Sequence, residues 1–293
     1  MANWNVGVPK QLTDRLPARL SGVHAPTVSV VRLHGIIAAG AAGLGRQLLN
    51  ADSIEGSLKR AFTADGVQAV ALSINSPGGS PTQSQLIGSR IRQLADEHEV
   101  PVIAFCEDLA ASGGYWLACS ADEIVATPTS LLGSIGVVSS GFGLEGLIAK
   151  LGVERRLHTA GTNKARLDPF SPEKDDDVQW LLGMQADIHD EFGSWVRERR
   201  GTKLVGTDED LFTGEVWIGR KAVELGLADE VGTMREVLAE RYPDAELHVV
   251  HSRKSLVARL GLPAALLGGD LPEAAAALVG AVEQRAAWAR FGL

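Results

Sequence analysis

The feature that most constrains the fold is a repeated unit of buried strand, glycine-rich loop and amphipathic helix. Residues 69–74 form a mostly apolar run without a turn signal, which is typical of a strand buried on both faces. The run ends at residues 75–79, Asn-Ser-Pro-Gly-Gly. Ser80 and Gln83 then form a predicted capping box, with Pro81 at the first helical position. Such units predict a largely parallel sheet with helices packed against it.

The same alternation extends along most of the chain. Strands are predicted at residues 28–33, 69–74, 102–105, 123–126, 135–138 and 155–159. Helices are predicted at residues 52–62, from Ser80, close to Ser112, at residues 143–151 and at residues 171–201, with a loop at residues 36–45. We therefore expect one α/β domain over residues 28–254, an N-terminal extension at residues 1–27 and an amphipathic helical tail at residues 255–293.

Charge and composition exclude several functional classes. The 293 residues carry 28 basic and 36 acidic side chains, a net charge of −8, which argues against a nucleic-acid partner. Cys106 and Cys119 fit no metal or redox spacing, so we expect no metal and a reducing compartment. Because no secretory signal and no run of about 18 apolar residues is recognisable, we expect a cytoplasmic protein. Its Leu- and Ala-rich tail could lie peripherally on the inner face of the membrane or dock on a protein surface.

Chemistry is predicted at two junctions between a strand and a helix. Gly78 and Gly79 follow a buried strand, and their N–H groups could point outward at the carboxyl end of the sheet. Two such donors can form an oxyanion hole, although a plain tight turn would have the same sequence.

The second junction contains Ser112 in a run of small residues just before a predicted helix. This suits a nucleophile, because the substrate can approach closely and the helix N-terminus stabilises negative charge; an N-cap serine is the alternative. It is not a G-x-S-x-G elbow, since Ala110 stands two residues before Ser112.

A serine nucleophile needs a base. No histidine lies between His98 and His158, so Lys164, in a loop of small residues, is the better candidate base. It would have to be neutral to accept a proton; a solvated surface lysine is the alternative reading.

Four motifs in this order resemble the signal peptide peptidase A family of serine proteases, which are Ser–Lys peptidases on the Clp/crotonase fold. They are residues 75–80, the Ala-Ala-Ser-Gly-Gly-Tyr run at residues 110–115, Gly-Ser-Ile-Gly at residues 133–136, and the loop that ends at Lys164. The interval of 52 residues from Ser112 to Lys164 and the block at residues 212–227 are also similar to the family. The resemblance covers residues 28–250.

The resemblance implies a role for five residues. Ser112 matches the family nucleophile and Lys164 its general base. Gly79 and Gly113 match the backbone donors of the oxyanion hole, and Ser134 matches a serine that holds the lysine amine. Family members with a chain as short as this one assemble into rings or domes in which the lysine comes from a neighbouring subunit. The resemblance therefore implies a homo-oligomer with shared active sites and no cofactor. The expected substrates are signal peptides or other short unstructured peptides.

Three other functions remain open from the sequence. A phage capsid-type maturation protease of the same family would have the same chemistry. An acyl-CoA hydratase or isomerase on the same fold also uses two backbone donors, but it usually takes carboxylates for acid–base work. An inactive scaffold would need neither Ser112 nor Lys164. A Ser-His-Asp peptidase is disfavoured, because residues 132–138 contain no histidine.

Overall fold

A mostly parallel β-sheet occupies the centre of the structure, a computed structural model that describes residues 25–40, 48–251 and 285–293. The strands are β1 (Thr27–His34), β2 (Ile36–Ile37), β3 (Leu48–Leu49), β4 (Val67–Ser76), β5 (Val102–Ala111), β6 (Glu123–Ala126), β7 (Leu131–Gly133), β8 (Val216–Ile218), β9 (Glu230–Val231) and β10 (Glu246–Val249). The main sheet has the order β10-β1-β4-β5-β6-β9; β7 pairs with β5 and β8, and β2 pairs with β3. Among these strands only β7 and β8 pair antiparallel. The predicted parallel-rich α/β class is confirmed.

Helices flank the sheet on both faces. They are α1 (Ala51–Phe62), α2 (Pro81–His98), α3 (Gly113–Ala118), α4 (Glu145–Lys150), α5 (Asp175–Arg200), α6 (Asp208–Leu211), α7 (Gly219–Glu224) and α8 (Met234–Arg241), with a 3-10 turn at Gly201–Lys203. Helix α2 begins as predicted, because the Ser80 hydroxyl accepts the N–H of Gln83 at 3.4 Å. The predicted capping box is wrong in its second half. The side chain of Gln83 accepts the N–H of Ala51 at 3.0 Å and so joins α2 to α1.

Two apolar clusters hold the helices to the sheet. The larger one packs β1, β4 and β5 against α1, α2, α3 and the C-terminal half of α5. The predicted apolar stripe of α2, including Ile87, Ile91 and Leu94, is buried in it. The smaller cluster packs the opposite face of the same strands against Val237 and Leu238 of α8. The central strands are therefore buried on both faces, and their carboxyl ends are left to carry the loops described below.

Three local predictions are wrong. The predicted strand at residues 135–138 has no regular secondary structure, because β7 takes the pairing positions between β5 and β8 and the chain turns away at Gly133 and Ser134, both with positive φ. Residues 155–159 are not a strand either. The predicted loop at residues 36–45 begins with β2, and residues 41–47 lie outside the described part.

The predicted apolar side of the long helix is buried only in its C-terminal half. Phe192 and Val196 are buried, whereas Leu182 is 50% exposed. The preceding segment is similar, since Val138 and Phe142 are 70% and 85% exposed. We refer to residues 137–191 as the apolar arm. In the single chain it presents large apolar side chains to solvent.

The chain termini fall largely outside the described residues. The predicted extension at residues 1–27 is described only from residue 25, and the predicted tail at residues 255–293 only from residue 285, with a helical turn at residues 285–289. Within the described residues, no helix combines the length and the apolar character needed to cross a bilayer.

A largely buried ion pair joins the end of α5 to the segment before β9. Arg200 donates to both carboxylate oxygens of Asp229 at 2.8 and 3.1 Å, and Asp229 also accepts from Lys203 and from the N–H of Ile124, each at 2.7 Å. Burial acts to raise the pKa of Asp229, but these hydrogen bonds outweigh it, and the pKa lies below its usual value. A carboxylate with a lowered pKa stabilises the fold above its unfolded pKa, and this stability is lost as the pH falls through the folded value.

Asp229→Ala is therefore expected to lower the free energy of unfolding by about 3 kcal/mol near neutral pH, because the charge of Arg200 would stay buried without a carboxylate partner and only its bond to the carbonyl of Gly226 would remain. Urea unfolding should show this difference shrinking as the pH falls below about 4, the pKa of an unfolded aspartate, and further as it passes the lowered pKa of the folded carboxylate. Asp208→Ala, which removes an exposed pair with Arg197, is the control and should cost less than about 1 kcal/mol. If the difference in the free energy of unfolding between wild type and Asp229→Ala does not change with pH, the lowered pKa assigned to Asp229 is wrong.

Candidate active site

The loop after β4 is shaped by two glycines and a buried serine. The Ser76 hydroxyl donates to the carbonyl of Gly35 at 2.7 Å and accepts the N–H of Gly78 at 3.2 Å. Gly78 and Gly79 have φ of 90° and 143°, conformations that residues with a Cβ rarely adopt. A Cβ on Gly79 would overlap the carbonyl oxygen of Ile37. The loop can therefore form only with glycine at these two positions.

Strand β2 holds this loop from the other side. Ile37 donates its N–H to the carbonyl of Gly78 at 2.8 Å and accepts the N–H of Ser80 at 2.7 Å. The N–H of Gly79 lies between these two bonds and donates to no acceptor among the described residues. It is available to a ligand.

Ser112 lies at the strained junction between β5 and α3. Its φ of 53° and ψ of −124° are unusual for a residue other than glycine, and its N–H donates to the carbonyl of Gly133 at 2.8 Å. Its own carbonyl accepts the N–H groups of Tyr115 and Trp116 and so begins the helix. Its side chain makes no capping hydrogen bond, so the alternative role of a capping serine is not supported. The N–H of Gly113 has no acceptor within the described ranges either.

Four of the five predicted site residues line one cavity of about 740 Å³: Ser112, Gly79, Gly113 and Ser134. The rest of its wall is mainly apolar, and includes Trp116, Leu182, Phe192 and Phe212, together with Ala287 and Arg290 near the C-terminus. The Ser112 hydroxyl thus lies in an apolar cleft that is also lined by two residues with unpaired backbone N–H groups. This combination can stabilise the tetrahedral intermediate of acyl transfer.

Lys164, the fifth predicted residue, is not among the residues that line this cavity. It lies in the apolar arm with its side chain exposed, and its N–H donates to the carbonyl of Gly161 at 3.2 Å. The Lys164 amine makes no hydrogen bond or ion pair with any residue that the structure describes. Within one chain, the structure does not bring Lys164 to Ser112.

His189 was missed by the sequence reasoning. It lines the cavity from α5, and its Nε2 lies 3.2 Å from the carbonyl oxygen of Ile135. Its position one turn before the buried Phe192 indicates an inward-facing residue, but no local pattern indicates which helix covers the site. One ring nitrogen is engaged by the carbonyl, so His189 connects α5 to the segment that follows Ser134.

The cysteines take no part in the site. Both are fully buried, and burial raises the pKa of Cys119 to about 12 and that of Cys106 further still. Both remain thiols at neutral pH, and thiols are poor nucleophiles and metal ligands. The described residues contain no cluster of His, Cys, Asp or Glu that could bind a metal ion.

Curated proteins of two kinds are similar to this chain. The Na(+)/H(+) antiporter NhaA of Brucella abortus is 45% identical over 296 residues, which cover 98% of this chain and 39% of that protein. Protease 4 of Haemophilus influenzae is 34% identical over 230 residues, which cover 76% of this chain and 36% of that protein. A relative from Enterococcus faecium whose name contains signal peptide peptidase SppA is 30% identical over 193 residues, which cover 66% of this chain and 56% of that protein. The chain thus spans well under two thirds of the length of each of these relatives.

The family assignment rests on a match to a family model. The model of Peptidase family S49 matches residues 95–248, which is more than half of the chain. The matched range contains Ser112, Gly113, Ser134 and Lys164. The chain therefore belongs to Peptidase family S49.

Proposed function

We propose that this chain is a serine endopeptidase that cleaves signal peptides or other short unstructured peptides through an acyl-enzyme. Ser112 is the nucleophile, and Lys164 of a neighbouring copy is the general base. The proposal rests on one observation: Ser112 lines the same apolar cavity as Gly79 and Gly113, whose N–H groups are unpaired.

The proposed reaction begins when the Ser112 hydroxyl attacks the scissile carbonyl carbon. Its proton passes to the neutral Lys164 amine, while the negative charge that forms on the carbonyl oxygen is held by the N–H groups of Gly79 and Gly113. The intermediate collapses, the C–N bond breaks, and the leaving amine takes the proton from the lysine. A water molecule, activated by the same amine, then hydrolyses the ester and restores Ser112.

Three features support a lysine supplied by another copy. Lys164 lies outside the cavity of its own chain, and its amine has no partner among the described residues. It lies in the apolar arm, where Phe142, Leu151 and Val153 are more than half exposed. A second copy covering this arm would bury the apolar side chains and remove water from the amine, and loss of water favours the neutral form that can accept a proton.

The shape and lining of the cavity support apolar, extended substrates. Trp116, Phe192 and Phe212 contribute aromatic side chains to its wall, and Leu182 contributes an aliphatic one. A single chain threaded past Ser112 fits a cleft of this kind better than a folded surface does. Signal peptides have an apolar central region, and the Enterococcus faecium relative has them in its name.

Mixing two inactive variants tests the shared site. Ser112→Ala and Lys164→Ala should each be inactive alone, and together they should regain activity, because on the order of a quarter of the sites in a random assembly combine both wild-type residues. Peptide hydrolysis is measured after incubation, and a tagged pull-down shows that copies have exchanged. A mixture that stays inactive despite proven exchange would overturn the shared site, and so would a fully active monomer by light scattering.

A further inference from the structure

Strand β5 contains a bulge immediately before the nucleophile. Ile74 of β4 pairs with Cys106, and Ser76 pairs with Ala110, so the single residue Asn75 lies opposite residues 107–109. Two extra residues are thus inserted into β5. A bulge bends its strand and changes where the following side chains point.

The bulge marks the point where β5 changes its neighbour. Before it, β5 pairs with β6 through residues 103–106; after it, β5 pairs with β7 through residues 109–111. The N–H of Ser112 extends this second ladder by its bond to Gly133. The direction in which β5 leaves the bulge therefore determines where Ser112 lies.

Side chains from β1 and β4 hold the bulge in place. The Ser73 hydroxyl donates to Oε1 of Glu107 at 2.5 Å, and Nε2 of His34 lies 2.8 Å from the Ser73 oxygen. Because the only hydroxyl proton of Ser73 goes to Glu107, His34 must donate to Ser73. A second bond joins Nδ2 of Asn75 to Oδ2 of Asp108 at 2.8 Å. Both extra acidic residues of the bulge are thus bonded to β4.

The chain of hydrogen bonds from His34 through Ser73 to Glu107 is partly shielded from water. Ser73 is 1% exposed, while the side chains of His34 and Glu107 are 29% and 41% exposed. Nε2 of His34 also lies 3.5 Å from Oε2 of Glu107, and this contact lowers the pKa of Glu107; the bond from Ser73 lowers it further, against the opposing effect of burial. Glu107 is therefore a carboxylate at neutral pH, and a charged acceptor strengthens the bond from Ser73.

The same strand that holds the bulge also leads into the oxyanion loop. Ser73 and Asn75 lie at the end of β4, a few residues before Gly79. The Asn75 carbonyl accepts the N–H of Gly35, which begins the turn into β2. The bonds from β4 to Glu107 and Asp108 thus fix the strand that leads to Ser112 against the strand that leads to Gly79. We refer to these bonds, together with the bond from His34 to Ser73, as the clamp.

We propose that Glu107 and Asp108 are positioning residues that set the distance between Ser112 and the N–H of Gly79, and that they act through the bulge in β5. This inference rests on the proposed function, because it concerns the same nucleophile and donor. Small displacements of reacting groups, on the order of 1 Å, can lower a rate by about 100-fold, so a clamp this close to the nucleophile should affect the chemical step more than substrate binding.

Three variants and a matched control test the clamp. Glu107→Ala removes the acceptor, Ser73→Ala removes the bridging hydroxyl, and Glu107→Gln keeps an oxygen for Ser73. Asp122→Ala is the control, because Asp122 accepts the N–H of Val102 at 2.8 Å and so anchors the opposite end of β5. The measurements are kcat and KM on an apolar peptide, the rate of labelling by a fluorophosphonate, and the melting temperature Tm.

Glu107→Ala and Ser73→Ala should lower kcat and the labelling rate together by about 10- to 100-fold, with KM changed by less than about threefold. Glu107→Gln should recover most of the loss. Asp122→Ala should lower Tm and leave kcat within about twofold. A wild-type kcat in Ser73→Ala overturns the proposal, even if Glu107→Ala fails to fold. The proposal is also overturned if Ser73→Ala and Glu107→Ala lose no more kcat than Asp122→Ala does. Ser112→Ala is assayed in parallel, and activity retained in this variant would refute the proposed function itself. If Ser112→Ala is inactive but Glu107→Ala and Ser73→Ala keep full activity, only the positioning role of the bulge is refuted.

Discussion

Ser112→Ala is expected to lower kcat by a factor of about 10⁴ or more, because in the proposed mechanism the acyl-enzyme forms on the Ser112 hydroxyl. Lys164→Ala should be affected to a similar degree, since without a base the hydroxyl keeps its proton. The double variant should be little worse than either single one, because in the proposed mechanism the two residues act in the same step. The measurement is peptide hydrolysis at saturating substrate, together with the labelling of each variant by a fluorophosphonate.

Two further substitutions separate a base from a merely charged surface lysine. Lys164→Arg should be as inactive as Lys164→Ala, because a guanidinium does not lose its proton in a protein. Lys174→Ala, at an exposed lysine just before α5, is the matched control and should keep full activity. Substantial activity in Lys164→Arg would exclude Lys164 as the base, and wild-type activity in Ser112→Ala would exclude the proposed mechanism.

The parts of this site that the sequence predicts are those built from local signals. The buried strand, the glycine pair and the proline at the first helical position all lie within residues 69–81, so their joint effect is visible in one stretch of chain. Ser112 is of the same kind, because a strand leads into it and a helix begins directly after it. The resemblance to the family then predicts that these separate stretches of chain belong to one site.

The parts that the sequence does not predict depend on distant partners. The clamp joins Ser73 to Glu107 across 34 residues and His34 to Ser73 across 39, and no periodicity connects such positions. The strand predicted at residues 135–138 has the right composition, but β7 takes the positions beside β5. Gln83 likewise follows a local capping rule only in part, because α1 offers it a better partner in the N–H of Ala51.

Gly79→Ala is expected to lower kcat by about 100- to 1000-fold, the usual cost of losing one oxyanion donor, because the Gly79 N–H is a donor in the proposed mechanism. A Cβ at this position would overlap the carbonyl oxygen of Ile37, which also accepts the N–H of Ser80, so the loop must move away from β2. The N–H of Gly79 would move with it. The substitution should also lower Tm, because φ of 143° is strained for alanine.

Gly214→Ala separates the loss of the donor from the strain. Gly214 lines the same cavity and has φ of 87°, but a Cβ there would meet no atom within 4 Å. It should therefore carry a similar backbone strain, on the order of 1–3 kcal/mol, without displacing a donor. Steady-state kinetics well below each Tm should then show a large loss of kcat for Gly79→Ala and a change of less than about threefold for Gly214→Ala. Equal losses would mean that strain around the cavity, rather than the Gly79 N–H, limits the reaction. A loss confined to Gly79 would tie the rate to the donor that β2 holds in place.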